Sequence, residues 1–92
     1  MEVSDLRTFL AVMDSGSISQ AAKALHRVPS GITARIMQME EELGVQLFLR
    51  EKKRLLPTAR GQTLYTYARK ICALMDEAEL CVKGMEPGGR LR

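Results

Sequence analysis

Residues 17–43 read Ser-Ile-Ser-Gln-Ala-Ala-Lys-Ala-Leu, then His26-Arg27-Val28, then Pro-Ser-Gly-Ile-Thr-Ala-Arg-Ile-Met-Gln-Met-Glu-Glu-Glu-Leu. The stretch divides into two helices and a three-residue turn. Ser17-Ile18-Ser19-Gln20 has the form of a capping box, with Gln20 at the third helical position. Ile18, Ala21, Ala22 and Leu25 follow at helical spacing as one inner face, and the two alanines let a following helix cross at close range. Val28 precedes a proline and is biased away from helical geometry. Pro29 suits a first helical position, where no N–H is needed. The second helix runs to Leu43, and Gly44 is its stop. Ile32, Ile36, Met39 and Leu43 recur on one side. Ser30, Ala34, Met37 and Gln38 lie opposite, with Thr33 and Arg35 on the flanks. Small and hydroxyl residues at one end and Glu40-Glu41-Glu42 at the other give the layout of a helix-turn-helix whose second helix enters a DNA groove by its N-terminal end.

Upstream, Leu6, Phe9, Leu10 and Met13 predict a helix over Val3 to Asp14, broken by Ser15-Gly16. Downstream, Val45 to Leu49 and Leu55-Leu56 flank the basic run Lys52-Lys53-Arg54 and read as a short β-hairpin closed by Pro57. Thr58 caps a long helix over Ala59 to Lys83. Along it Leu64, Ala68, Ile71, Met75, Ala78 and Val82 alternate steps of four and three, a heptad seam suited to a second copy. The expected fold is therefore mainly α: a winged helix-turn-helix with a three-helix core and a hairpin wing over residues 1–58, and a linker and dimerisation helix over 59–83. Residues 84–92, rich in Gly and Pro, read as a hinge toward a further domain.

Ninety-two residues make one compact domain. Lys and Arg outnumber Asp and Glu by 14 to 11, a tilt that suits a polyanionic partner. Cys72 and Cys81 are nine apart in one predicted helix, about 13.5 Å by helical rise, too far for a disulfide, which needs less than about 7 Å. Two thiols in a reducing compartment fit that spacing. No Cys or His spacing suggests a metal, no nucleophile or carboxylate pair is set to work with His26 as an enzyme would need, and no run reaches membrane-spanning length. A cytoplasmic protein without a cofactor in this segment is expected.

The candidate contacts to a duplex follow from position. Ser30 and Thr33 carry short hydroxyls at a helix N-terminus, where free N–H groups favour an anion. Pro29, Gly31 and Ala34 are small enough for close approach and for contact with thymine methyls. Arg35 is the main candidate on the second helix for base or phosphate, and Gln38 lies on its outer face. Ser17 and Gln20 begin the first helix beside the expected path of the backbone. Arg27 in the turn and Arg50, Lys52, Lys53 and Arg54 in the hairpin form the cationic set, placed for phosphate or minor-groove contact.

The chain resembles the N-terminal DNA-binding domain of the LysR-type transcriptional regulators. The residues carrying the resemblance are Leu6-Arg7-Thr8-Phe9, Gly16-Ser17-Ile18-Ser19-Gln20-Ala21-Ala22, Leu25-His26, Ile36, Met39-Glu40, Glu42-Leu43-Gly44-Val45, Leu47-Phe48, Arg50, and Leu56-Pro57-Thr58 with Gly61. In this order and spacing over about residues 1–65 they are highly specific. The resemblance implies a core helix-turn-helix motif over about residues 18–37 and a dimer on an interrupted palindrome in double-stranded DNA, with the second helix of the motif in the major groove and the wing along the minor groove. A tetramer of the longer protein, and a small-molecule effector held by a domain beyond this segment, belong to the same expectation. Where the family usually reads Ser-Gln-Pro/Ser-Ala-Val-Ser-Arg, this chain has Val28-Pro29-Ser30-Gly31-Ile32-Thr33-Ala34. Pro29 replaces a Gln and Ala34 an Arg, so the family's base preferences do not carry over at these positions. The alternative reading is a winged-helix module for protein–protein contact without specific DNA binding.

Overall fold

In the computed structural model, residues 1–51, 54–86 and 90–91 are described, with side-chain environments through residue 84. Lys52 and Lys53 lie outside the described residues, as do 87–89 and 92 of the expected hinge. Three helices come first: α1 (Val3–Ser15), α2 (Ile18–Leu25) and α3 (Pro29–Leu43). An antiparallel hairpin of β1 (Phe48–Glu51) and β2 (Arg54–Pro57) leads into α4 (Ala59–Val82). A two-residue pair, β3 (Met85–Glu86) with β4 (Arg90–Leu91), follows where only a hinge was expected. The hairpin pairs Phe48 with Pro57 and Glu51 with Arg54.

The helix ends follow local chemistry. Ser17 Oγ accepts the Gln20 N–H at 3.0 Å, while the Ser17 N–H is bound by Ser15 Oγ at 3.4 Å. Thus Ser15 takes the donor that a full capping box would have given to the Gln20 side chain. At the other end of α2, His26 adopts φ 55°, ψ 47°. Its N–H bonds the Lys23 carbonyl at 3.3 Å and the Arg27 N–H bonds that of Ala22 at 2.9 Å, the paired bonds of a Schellman stop. His26 is thus a backbone residue of the turn.

The core gathers Leu6, Phe9 and Val12 from α1, Ala21 and Ala22 from α2, and Ile32, Ile36 and Met39 from α3, closed by Leu47, Phe48, Ala68 and Cys72. Two expected stripes shift. On α1 the centre is Phe9 and Val12, joined by buried Thr8, whose hydroxyl donates to the Ser4 carbonyl at 3.0 Å; Leu10 and Met13 sit half-buried at the margin. On α3 the stripe ends at Met39, and Leu43 is 41% exposed because the chain leaves the core one turn earlier.

Leu47 is where three elements meet. Its N–H and that of Phe48 donate to Glu40 Oε2 at 2.8 and 3.3 Å, so the first residue of the acidic run is turned inward as an acceptor. Its carbonyl accepts the Thr58 N–H at 2.9 Å. Thr58 Oγ1 donates to the Gln46 carbonyl at 2.6 Å and accepts the Gly61 N–H at 3.0 Å. A Cβ on Gly61 would overlap the Leu47 carbonyl oxygen and stand 3.2 Å from its carbon. Phe9 and Phe48 rings stack beside this point at 5.5 Å between centroids.

Helix α4 has 24 residues and α1 has 13, about 36 Å against 20 Å by helical rise. Helix α4 packs on α1 with Ala68 and Cys72 buried and Arg7–Asp76 paired across the contact, and from Ala73 to Val82 every residue but half-buried Cys81 is exposed. The radius of gyration is 14.9 Å, against about 12 Å for a compact chain of this length. This corrects the heptad seam. Ala68 is buried in the chain's own core and Leu64 is half-buried against it, while Ile71, Met75, Ala78 and Val82 stay exposed. Cys72, which the seam omits, is buried, and Cys81 is half-buried, both as free thiols. Among the described residues no helix is long and apolar enough to cross a membrane.

Gly61→Ala is expected to lower stability by about 1–3 kcal/mol, the usual cost of overpacking a filled site, because backbone must move to admit the methyl. Gly31→Ala should instead raise stability by about 0.5–1 kcal/mol, since a Cβ there meets only the Val28 Cγ2 at 3.7 Å. Thermal melts of the two variants check the contrast, and equal shifts would contradict it.

Candidate nucleic-acid interface

The face opposite the core is built from the start of α2, the start of α3 and the hairpin. Gly16, Ser17, Ile18 and Ser19, then Pro29 and Thr33, then Arg50, Arg54 and Leu55 line one open cleft of about 610 Å³. Five of the expected contacts, Ser17, Pro29, Thr33, Arg50 and Arg54, are thereby brought to one place. Ser19, which the sequence reading passed over, joins them. Its signal was its place in the first turn of a helix whose N-cap is Ser17. A shallow groove beside it runs along Ser19, Ala22, Lys23, His26, Arg27, Val28 and Pro29, adding the turn and Arg27 to the same surface. Gln20, Ser30, Gly31, Ala34 and Gln38 are exposed, the last four along the outward side of α3. Val28 is 65% exposed at the tip of the turn.

The charge on this surface is of one sign along the helical motif. From Gly16 to Met39 the chain has no Asp or Glu, and it carries Lys23, Arg27 and Arg35. Of the acidic run that follows, Glu40 turns to the N–H groups of Leu47 and Phe48, and Glu42 to the Met1 amino group at 2.8 Å. That amino group is raised above its ordinary value by its bond to Glu42.

Arg35 departs from expectation. Its Nη1 donates to Asp5 Oδ1 at 2.6 Å and to Ser4 Oγ at 3.4 Å, both on α1. The Arg35 side chain is 30% and the Asp5 side chain 18% exposed. The flank position that made Arg35 a candidate for phosphate also sets it beside α1, and the carboxylate there is the nearer anion. Asp5 Oδ2 in turn accepts the Glu2 N–H at 2.8 Å. That backbone bond first, and Arg35 second, hold the Asp5 carboxyl below the usual carboxylate range. On the far side of α1, Tyr65 donates to Asp14 Oδ1 at 2.6 Å, a bond that raises its phenol above its ordinary value, and Arg7 pairs with Asp76 at 2.9 Å. These contacts fix α4 on α1 away from the cleft. Among the described residues no group of three or more His, Cys, Asp or Glu is placed to hold a metal.

A short helix, a tight turn, a second helix with its N-terminal half exposed, and a hairpin beside it define a winged helix-turn-helix protein. The family described as "Bacterial regulatory helix-turn-helix protein, lysR family" matches residues 3–62, and the chain belongs to it. It is 46% identical to the uncharacterized HTH-type transcriptional regulator YusT of Bacillus subtilis over 99% of this chain and 31% of the relative. It is 41% identical to the HTH-type transcriptional regulator YofA of the same organism over 100% of this chain and 33% of the relative. The chain thus spans about a third of the length of the curated relatives it matches. Among solved structures, the BenM DNA-binding domain in complex with benA site 1 DNA superposes with a TM-score of 0.86 at 34% identity, over 90% of this chain and 93% of that one. The CbnR DNA-binding domain in its DNA complex gives 0.82 at 34% identity, over 86% and 91%.

Because the folded carboxyl of Asp5 is depressed, the stability it adds is present above the unfolded value, about 3.9, and is lost as pH falls through the lower folded value. The thermal midpoint of the wild type should therefore drop further between pH 5 and pH 2 than that of Asp5→Asn. Parallel melting curves across that range would remove the role given to this carboxylate.

Proposed function

We propose that this chain is the operator-binding domain of a transcription regulator that acts as a homodimer on double-stranded DNA in the cytoplasm. The observation that carries the reading is the single cleft joining the starts of α2 and α3 to Arg50 and Arg54 of the hairpin, with no carboxylate in the helical motif. The exposed N-terminal half of α3 enters the major groove, where Pro29, Ser30, Gly31, Thr33, Ala34 and Gln38 meet base edges and thymine methyls. Arg27, Arg50 and Arg54, with Ser17 and Gln20 at the start of α2, meet the sugar-phosphate backbone and supply most of the affinity. The small side chains at positions 29, 31 and 34 favour a close approach in which apolar contact contributes more than long polar arms do. The BenM and CbnR domains that this chain superposes on are seen on DNA, which supports the same docking.

The dimer rests on the outward stripe of α4. Ile71, Leu74, Met75, Ala78 and Val82 share one face at helical spacing, and Leu74 and Val82 are 64% and 88% exposed. A second copy related by a two-fold axis covers that stripe and sets two recognition helices on two half-sites. Sedimentation at micromolar concentration should show a dimer that Ile71→Glu or Met75→Glu disrupts; a wild-type monomer would contradict the assembly.

Selection from random duplexes should return an interrupted palindrome. No enrichment at moderate salt would favour the protein-contact reading instead. On the selected site, Arg50→Ala and Arg54→Ala should each weaken binding and reduce the slope of log K against log salt by about 0.9, the value of one phosphate contact. An unchanged slope in both would remove the hairpin from the interface.

A further inference from the structure

We propose that Asp5 is a specificity-determining residue: it holds Arg35 out of the protein–DNA interface, so that the one arginine on the recognition helix adds no sequence-independent affinity. The proposal rests on the duplex-binding reading above. Its geometry is independent of that reading. The Arg35 guanidinium meets Asp5 Oδ1 at 2.6 Å and Ser4 Oγ at 3.4 Å. The other Asp5 oxygen is anchored by the Glu2 N–H at 2.8 Å, so the carboxylate is oriented by the start of α1 before it meets the arginine. A charge-assisted bond of this length, on a partly buried carboxylate, is among the strong ones. A phosphate would have to displace it.

Freed from Asp5, Arg35 has somewhere to go. A long side chain on a helix covers the turn N-terminal to its own Cα, which for position 35 is the turn containing Gly31. Gly31 has no side chain, and the space a Cβ would take there has only Val28 Cγ2 nearby, at 3.7 Å. The released guanidinium would therefore lie over the exposed start of α3, on the surface that holds Arg27 and no carboxylate between Gly16 and Met39. An arginine at that place gains phosphate on any sequence. Pairing with Asp5 cancels its charge and keeps selection with Ser30, Thr33 and Gln38. Arg35 in its present position is a positioning residue that ties α3 to α1.

The test is the salt dependence of binding, measured on the selected site and on a duplex of unrelated sequence, for wild type, Asp5→Asn, Arg35→Met and the double variant. Asp5→Asn keeps an oxygen for the Glu2 N–H and frees the arginine. It should steepen the slope of log K against log salt by about 0.9, strengthen binding to the unrelated duplex, and lower the ratio between the two duplexes. Arg35→Met should leave the wild-type slope unchanged, and the double variant should return to it. Either a slope unaltered in folded Asp5→Asn or a slope reduced by about 0.9 in Arg35→Met overturns the proposal. The Arg35→Met arm decides by itself if Asp5→Asn does not fold. Failure of wild type to bind any duplex would instead count against the function proposed above.

Discussion

The backbone of Leu47 is the joint on which the arrangement depends. Its N–H reaches back to Glu40 near the end of α3, and its carbonyl is held by the Thr58 N–H and abutted by Gly61 at the start of α4. Its side chain is 1% exposed in the core. Backbone groups that leave a helix for a strand inside a small protein must find partners, because an unpaired buried N–H or carbonyl is costly. Here one carboxylate and one threonine supply them. The consequence is geometric: the angle at which the hairpin leaves α3, and the angle at which α4 returns over α1, are set by the same few bonds. The cleft between the hairpin and the starts of α2 and α3 inherits its shape from that joint.

Electrostatics and packing cooperate in engaging the carboxylates that flank the helical motif. The acidic side chains next to the motif have other uses. Glu40 satisfies strand N–H groups, Asp5 takes Arg35, and Asp14 takes the Tyr65 hydroxyl. Each of these is a contact with the core side of the molecule. A surface that meets a polyanion gains as much from where its carboxylates are bound as from how many arginines it displays, since both signs act through the same long-range potential.

Helix α4 belongs to two environments along one stripe. Its inward side is that of a core helix, with Ala68 and Cys72 buried against α1 and Arg7–Asp76 and Tyr65–Asp14 along the edges. Its outward side presents Leu74, Met75 and Val82 to solvent. A heptad spacing is the same along the whole helix, so the spacing alone does not distinguish burial in one chain from burial between two. What stands across from each residue in the fold does.

Legible in the chain alone are the element order, the turn at His26-Arg27-Val28, the proline at the start of α3, the hairpin, and the membership of Ile32, Ile36, Met39, Ala21 and Ala22 in the core. These are local or periodic features: caps, breakers and apolar spacing act over a few residues and are readable there. Only the tertiary structure decided which anion Arg35 meets, that Glu40 turns inward, that Thr8 and Cys72 are buried and Leu43 is not, and where the seam of α4 leaves the core. Each of those depends on residues far away in the chain: position 5 for Arg35, 47 and 48 for Glu40, and α1 for α4. A helical wheel gives the direction a side chain points but not what stands in that direction. That is why the face of α3 was legible from residues 17–43, while the partner of its arginine was settled by a carboxylate thirty positions upstream.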